Sequence, residues 1–167
     1  LYNVWNKGYE YAFGFGGYDY VIPMGSDHSF FGDWMKNLVK YAGDDRIVNC
    51  QLIERGVKPS LHITKDFGLP TKDFPIKEFD EFCKTIFEDR LVTEQEAKRV
   101  LDAMPMCIPR AVWDRFGPMP RVLVDNVTGD CHFFNMARNA GIKIVQSKGA
   151  ISYHSQGSET ARNWGVK

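Results

Sequence analysis

"YDYVIPMGSDHSFFGDW", residues 18–34, joins an apolar run to the start of a helix through a small polar segment. The run from Tyr18 to Met24 is short, rich in Tyr, Val and Ile, and flanked by turn residues, which predicts a buried strand. Phe31, Trp34, Met35, Leu38 and Val39 recur at helical spacing, which predicts an amphipathic helix directly after it. Between the two, Gly25-Ser26-Asp27-His28 reads as a polar turn carrying one carboxylate and one imidazole. Asp27 then has two readings. It is a turn or capping residue before the helix, or a ligand at the carboxyl end of a strand, where ligands collect in open α/β sheets.

The same alternation extends outward in both directions. A short helix over residues 3–13 ends at the glycines Gly14, Gly16 and Gly17, and "RIVNCQLIE" (46–54) is a second strand. Residues 56–75, punctuated by Gly56, Pro59, Gly68, Pro70 and Pro75, read as a long surface excursion. A helix over 76–89 places Phe79, Phe82, Cys83, Ile86 and Phe87 on one face. Thr93-Glu-Gln-Glu96 is a capping box that opens another helix, running to about Met104. "MPMCIP" is a short strand, "RAVWDRFG" a short helix stopped by Gly117, and "PMPRVLVDN" a loop or strand. "TGDCHFFNMARNAG" is a helix with Thr128 at its start and Gly141 just past its end. "IKIVQS" and "AISYH" are closing strands. Strands alternating with helices predict one α/β layered domain over residues 1–167, with a helical insertion at about 56–103.

Composition narrows the function classes. With 44% hydrophobic and 14% aromatic residues the chain can build a core. Twenty-one acidic and 21 basic residues balance, so no net field favours nucleic acid or an anionic membrane. No apolar run reaches the roughly 18 residues of a membrane span. The expectation is a soluble, cytoplasmic protein, with membrane attachment left to any segment outside this sequence. Cys50, Cys83, Cys107 and Cys131 show no zinc spacing and read as free thiols in a reducing compartment. The glycine run "FGFGG" lacks the Lys and helix of a phosphate-binding P-loop and reads as a turn.

From residue 104 onward, "MCIPRAVWDRFGPMP" followed by "TGDCHFFNMARNAGIKIVQSKGAISYHSQGS" resembles the second half of family 2-type glycosyltransferases of the GT-A fold. Asp130 falls in that family's acidic turn, Arg138 and Ala140-Gly141 close its helix, and His154 takes its late-loop position. "WNKGYEYAFGFGGYDYVIPMGSDHSFFGDWMKNLVKYA" resembles the family's centre, with an Asn-x-Gly segment, a strand, the Asp-x-Asp metal motif and a Trp-bearing helix. The motif's three positions fall on Gly25-Ser26-Asp27, so its first carboxylate is absent. The resemblance also implies that the first, nucleotide-binding strands lie upstream of Leu1. A truncated sequence, or a protein partner that completes the sheet edge, is therefore expected.

What the resemblance implies is a GT-A (Rossmann-like) mixed sheet flanked by helices, incomplete at its N-terminus. The implied activity is transfer of a sugar, with inversion, from a nucleotide-diphosphate donor to a glycan, lipid or protein acceptor hydroxyl. A divalent cation, Mn²⁺ or Mg²⁺, would neutralise the leaving diphosphate, with Asp27 and His154 as its ligands and His28 as a further candidate. Asn6, Lys7, Asp27 and Ser155 would lie near the donor, where "SQGSE" offers hydroxyls and backbone to phosphate oxygens. Asp130 is the candidate general base, ionised at a helix start, and Asp125 its runner-up. Bland alternatives accompany each: a strand-end histidine, a helix-start acid, a surface-turn asparagine. Trp34 reads as core, Trp113 and Trp164 as candidate stacking platforms for an acceptor, and Arg110 as solvent-facing. The rival function, motivated by the missing carboxylate, is a catalytically degenerate domain that binds carbohydrate or protein. A generic Rossmann-like nucleotide domain lacks its glycine fingerprint.

Overall fold

The computed structural model describes residues 2–54, 63–69, 72–101 and 105–155. Among these residues fourteen elements follow one another: α1 (Tyr2–Glu10), a π-helical turn (Tyr11–Phe15), β1 (Tyr20–Val21), β2 (His28–Phe30), α2 (Trp34–Val39), β3 (Arg46–Glu54) and β4 (Ile63–Thr64). Then come α3 (Ile76–Ile86), β5 (Leu91–Thr93), α4 (Glu94–Ala97), β6 (Met106–Pro109), α5 (Arg110–Phe116), α6 (Gly129–Asn139) and β7 (Lys143–His154). They build an α/β domain around a mixed seven-stranded sheet ordered β1-β6-β3-β7-β2, with β4 added to β3 and β5 to β7. Its centre is the parallel pair β3–β7, and β1, β2, β5 and β6 pair antiparallel to their neighbours. None of the helices among the described residues is long and apolar enough to cross a membrane.

β3 owes its central place to its composition. Every residue after Arg46 is buried, as expected of a strand covered on both faces. Alternation sends Ile47, Asn49, Gln51 and Ile53 to one face and Val48, Cys50, Leu52 and Glu54 to the other. On the first face Ile47 joins α1, α5 and α6 in a core of Tyr9, Phe13, Trp113 and Phe133, while Ile53 joins α3 around Phe79 and Tyr153. Between these cores the buried amides of Asn49 and Gln51 donate to the carbonyls of Leu101 and Ile86. On the second face Val48 and Cys50 pack against Leu38 of α2.

Several expectations change on folding. The run from Tyr18 to Met24 pairs only at Tyr20 and Val21, because Pro23 has no N–H to give a ladder. His28 lies in a strand, not a turn, paired antiparallel with the end of β7. The helix after it starts at Trp34, so Phe31 is outside it, and Met35 is exposed. Within the predicted surface excursion Phe67 is 5% exposed, and its ring lies edge-on to both Phe79 and Tyr153. The capping box at Thr93 forms, yet its helix stops at Ala97 because Lys98 turns left-handed (φ 52°). Glu94 fixes that reversal by accepting from the backbone N–H of Leu101 while holding Arg138 with two hydrogen bonds of 2.7 and 2.8 Å. Of the two readings of "PMPRVLVDN" the loop holds, and Val124–Val127 is a tight reversal with Asp125 and Asn126 at positive φ. The two closing strands are one, β7, interrupted by a bulge.

α6 forms where the pattern places it. Phe133, Phe134 and Ala137 face the core. The helix ends in a Schellman motif: Ile142 N donates to Ala137 O and Gly141 N to Arg138 O, with Gly141 at φ 83°. Arg110 does not face solvent, because its guanidinium donates to the carbonyls of Phe13 and Tyr18 and so pins the π-helical turn to α5. Trp113 is 7% exposed and stacks on Tyr9 at 4.0 Å, which makes it core and not a sugar platform. Trp164 lies outside the described residues.

All four cysteines are free. Burial pushes the thiols of Cys83 and Cys107 up to about 12 and that of Cys50 well above its ordinary value. Only thiolates react readily. The folded protein is therefore expected to expose one thiol, Cys131, to a thiol-specific chromogenic reagent at neutral pH, and four in denaturant. A second fast-reacting thiol in the native state would refute the packing described for β3, β6 or α3.

Candidate metal centre

Three strands bring the site together through register alone. His154 at the end of β7 pairs with His28 on β2 and with Glu54 on β3, so the three side chains form one row across the sheet. Asp27 precedes β2 and is tied to β7 by its carbonyl, which accepts from both the backbone N–H and the hydroxyl of Ser155 at 3.1 Å. The ligand atoms of Asp27, His28 and His154 all lie within 4.8 Å of one another. The two imidazoles stack 4.7 Å apart with a 10° interplanar angle.

His154 bridges two carboxylates. Its Nδ1 lies 3.1 Å from Glu54 Oε1 and its Nε2 3.1 Å from Asp27 Oδ2. Burial works against a charged imidazole here, but Glu54 and Asp27 outweigh it and hold His154 above its ordinary value. His28 goes the other way. Burial, then the neighbouring His154, bring it down to about 4, so it is a neutral base at physiological pH. Its Nδ1 bonds to Ser152 Oγ at 2.8 Å. With Nδ1 as donor to that hydroxyl, Nε2 carries the lone pair.

Gly25 completes the arrangement. A Cβ built there would stand 2.6 Å from Asp27 Oδ1, 3.3 Å from His28 Cδ2 and 3.6 Å from His28 Nε2. The missing side chain thus leaves open the space onto which a carboxylate oxygen and an imidazole nitrogen both face. One carboxylate, two imidazoles and that cradle fit a divalent first-row cation, and the nitrogen share favours Mn²⁺ over Mg²⁺. Glu54, buried at the strand end, would be the outer partner that metal-ligating histidines usually have.

Of the residues named from sequence, Asp27, His154 and Ser155 come together and Asn6 and Asp130 do not. Asn6 is 2% exposed and clasps the backbone of Met119, its Nδ2 donating to the carbonyl (2.8 Å) and its Oδ1 accepting from the N–H (3.0 Å). Both its groups are engaged, on the sheet face opposite Glu54. Asp130 starts α6 on that same face, and its Oδ1 accepts from Tyr2 Oη at 2.8 Å and from the N–H of Cys131 at 2.9 Å. Its runner-up, Asp125, is exposed in the Val124–Val127 reversal. Lys7 is exposed on α1, on the outer side of the helix from Asn6.

Glu54 was missed from sequence, although a lone carboxylate closing the buried run "RIVNCQLI" was the available signal. His28 stood out only through its neighbour Asp27. Comparison with protein-family models, with curated proteins and with solved structures finds no match to this chain.

Proposed function

We propose that this chain is a glycosyltransferase domain of the GT-A type. Asp27, His28 and His154 hold a divalent cation, preferably Mn²⁺, against the diphosphate of a nucleotide-activated sugar. The observation that carries this reading is the convergence of Asp27 and His154, from opposite ends of the sequence, on one spot with His28. The order of the sequence motifs and the mixed α/β sheet support it. A bound cation would act as a Lewis acid on the leaving diphosphate. The chain's own residues position it. Asp27 offers an oxygen and His28 and His154 offer nitrogens. Glu54 orients the His154 ring through Nδ1, and Ser155 fixes the backbone under Asp27. Asp130 enters no step, since Tyr2 holds its carboxylate on the other face.

Calorimetric titration with Mn²⁺, alone and with a nucleoside diphosphate, tests this. One cation is expected to bind, and more tightly when the diphosphate is present. Asp27→Ala and His154→Ala each abolish binding, and Glu54→Gln weakens it roughly 10- to 100-fold. Cation binding must displace the proton that His154 shares with Asp27, so the heat is expected to vary with buffer ionisation enthalpy as for release of about one proton. Absence of Mn²⁺ binding to the parent protein sinks the reading.

A second reading has its own observation. Gly25 stands where a first carboxylate is expected, and the candidate base is engaged elsewhere. A catalytically degenerate domain would bind glycan without any dependence on Mn²⁺ and would transfer no sugar. Glycan binding measured with and without a chelator separates the two.

A further inference from the structure

A line of aromatic rings joins the candidate metal centre to α2. His28 and Phe30 alternate onto the same face of β2. The His28 imidazole stacks at 6.0 Å from the Phe30 ring, and Phe30 stacks on Trp34 at 4.0 Å, each pair with an interplanar angle of 17°. The indole centre is therefore no farther from the imidazole than those two steps combined. Trp34 is only half-buried. It packs beside Leu38 over Val48 and Cys50, the sheet face that carries Glu54, and its remaining surface lines a groove along α2.

The groove measures about 580 Å³, within the range of small-molecule sites, and is lined by Gly32, Asp33, Trp34, Met35, Lys36 and Val39. Met35 and Val39, 51% and 37% exposed, extend the apolar surface that Trp34 begins. Asp33 and Lys36 supply the polar groups. Asp33 stands at the N-cap of α2, yet its carboxylate caps no helix N–H. Neither that carboxylate nor the Lys36 ammonium has an ion-pair partner among the described residues. Lys40, the next cation along the chain, is taken by Asp89 and lies over the Tyr41 ring. The lining thus carries one negative and one positive group, which favours an uncharged ligand. A pyranose ring matches it. Its C–H face suits the indole, the thioether and the Val39 methyls, while its hydroxyls donate to the carboxylate and accept from the ammonium. Side chains do the recognising, and the end of this short helix contributes nothing.

We propose that this groove binds an uncharged pyranose unit of a glycan, beside the candidate metal centre. Its role rests on the glycosyltransferase reading. There the donor is anchored by its diphosphate at the cation, and the neutral groove, with no surplus of positive charge for a phosphate, takes the acceptor. The acceptor class is then a glycan, not a lipid or a protein.

Calorimetric titration of the full chain with the methyl glycosides of glucose, galactose, mannose and N-acetylglucosamine tests this, with Mn²⁺ and uridine diphosphate present and again in chelator. Saturable binding of at least one glycoside is expected. Loss of that binding in chelator identifies an acceptor held beside a loaded donor site. Its persistence identifies the glycan of the second, non-catalytic reading. Asp33→Asn and Lys36→Met, which keep the shape of the groove, are each expected to weaken binding about tenfold, the loss of one charge-assisted hydrogen bond. Trp34→Ala abolishes it, and if that variant fails to fold the other two decide. Lys7→Gln, an exposed cation on α1, leaves it unchanged. Titration with Mn²⁺ alone on the same sample reports the cation reading separately, so the failure of one is told from the failure of the other. No binding of any glycoside under either condition, or parent-like affinity in both Asp33→Asn and Lys36→Met, overturns the proposal.

Discussion

Gly25→Ala is expected to weaken Mn²⁺ binding about tenfold or more while leaving the stability of the fold within about 0.5 kcal/mol of the parent. The new methyl would stand 2.6 Å from Asp27 Oδ1, well inside contact distance. What it strikes is the far end of a side chain, not backbone, so the carboxylate can swing aside at little cost to folding. Swinging aside removes the oxygen that the candidate cation needs and fills the space faced by His28 Nε2. The backbone at Gly25 is not in the left-handed region, so no conformational strain accompanies the change. Calorimetry with Mn²⁺ and a thermal melt on the same sample check both halves. Unchanged Mn²⁺ affinity would mean that the cradle over Gly25 is not where the cation sits.

Gly129→Ala acts on the fold itself and is expected to cost about 3 kcal/mol or more, a large part of an ordinary domain's stability. A Cβ at this position would lie 2.1 Å from the carbonyl oxygen of Pro120 and 3.1 Å from its carbon, and 3.3 Å from the Tyr2 ring. Those first two atoms are backbone and cannot rotate away. Relief requires the start of α6 to move off the loop, which breaks the Tyr2–Asp130 hydrogen bond and loosens Phe133 and Phe134 from the core. Gly141→Ala provides the contrast. Nothing lies within 4 Å of its Cβ, but φ is 83°, so its cost is conformational and about 1–2 kcal/mol. Urea midpoints for the two variants are expected to fall in that order. A Gly129→Ala protein as stable as the parent would refute the close approach of α6 to Pro120.

Much of the architecture was written in local pattern. The strand at β3 follows from its Ile, Val and Leu-rich run, the start of α4 from its capping box, and the end of α6 from Gly141. These features depend on residues within a few positions of one another. Where reading failed, a distant group had intervened. Glu94, engaged by Arg138 and Leu101, ended α4 early, and Arg110 found carbonyls at Phe13 and Tyr18 in place of solvent. Phe67 looked like a loop residue until Phe79 and Tyr153 closed over it.

The candidate site divides along the same line. The family resemblance, laid over residue type and chain order, singled out Asp27 and His154 as candidate metal ligands, where the residues alone left a capping turn and an ordinary strand-end histidine as equal or better readings. These signals were not enough to exclude Asn6 or Asp130, whose side chains are equally polar but are spent on Met119 and Tyr2. Nor could they supply Glu54 and the full role of His28. Those two join His154 only through the pairing of β2 and β3 with β7, and strand register is fixed by contacts between distant segments, one residue of slip sending every side chain to the other face. The sequence by itself therefore determined most of the helices and the central strand, and singled out two of the candidate ligands. Tertiary structure decided which polar groups share a face, since that depends on how the strands are ordered and aligned.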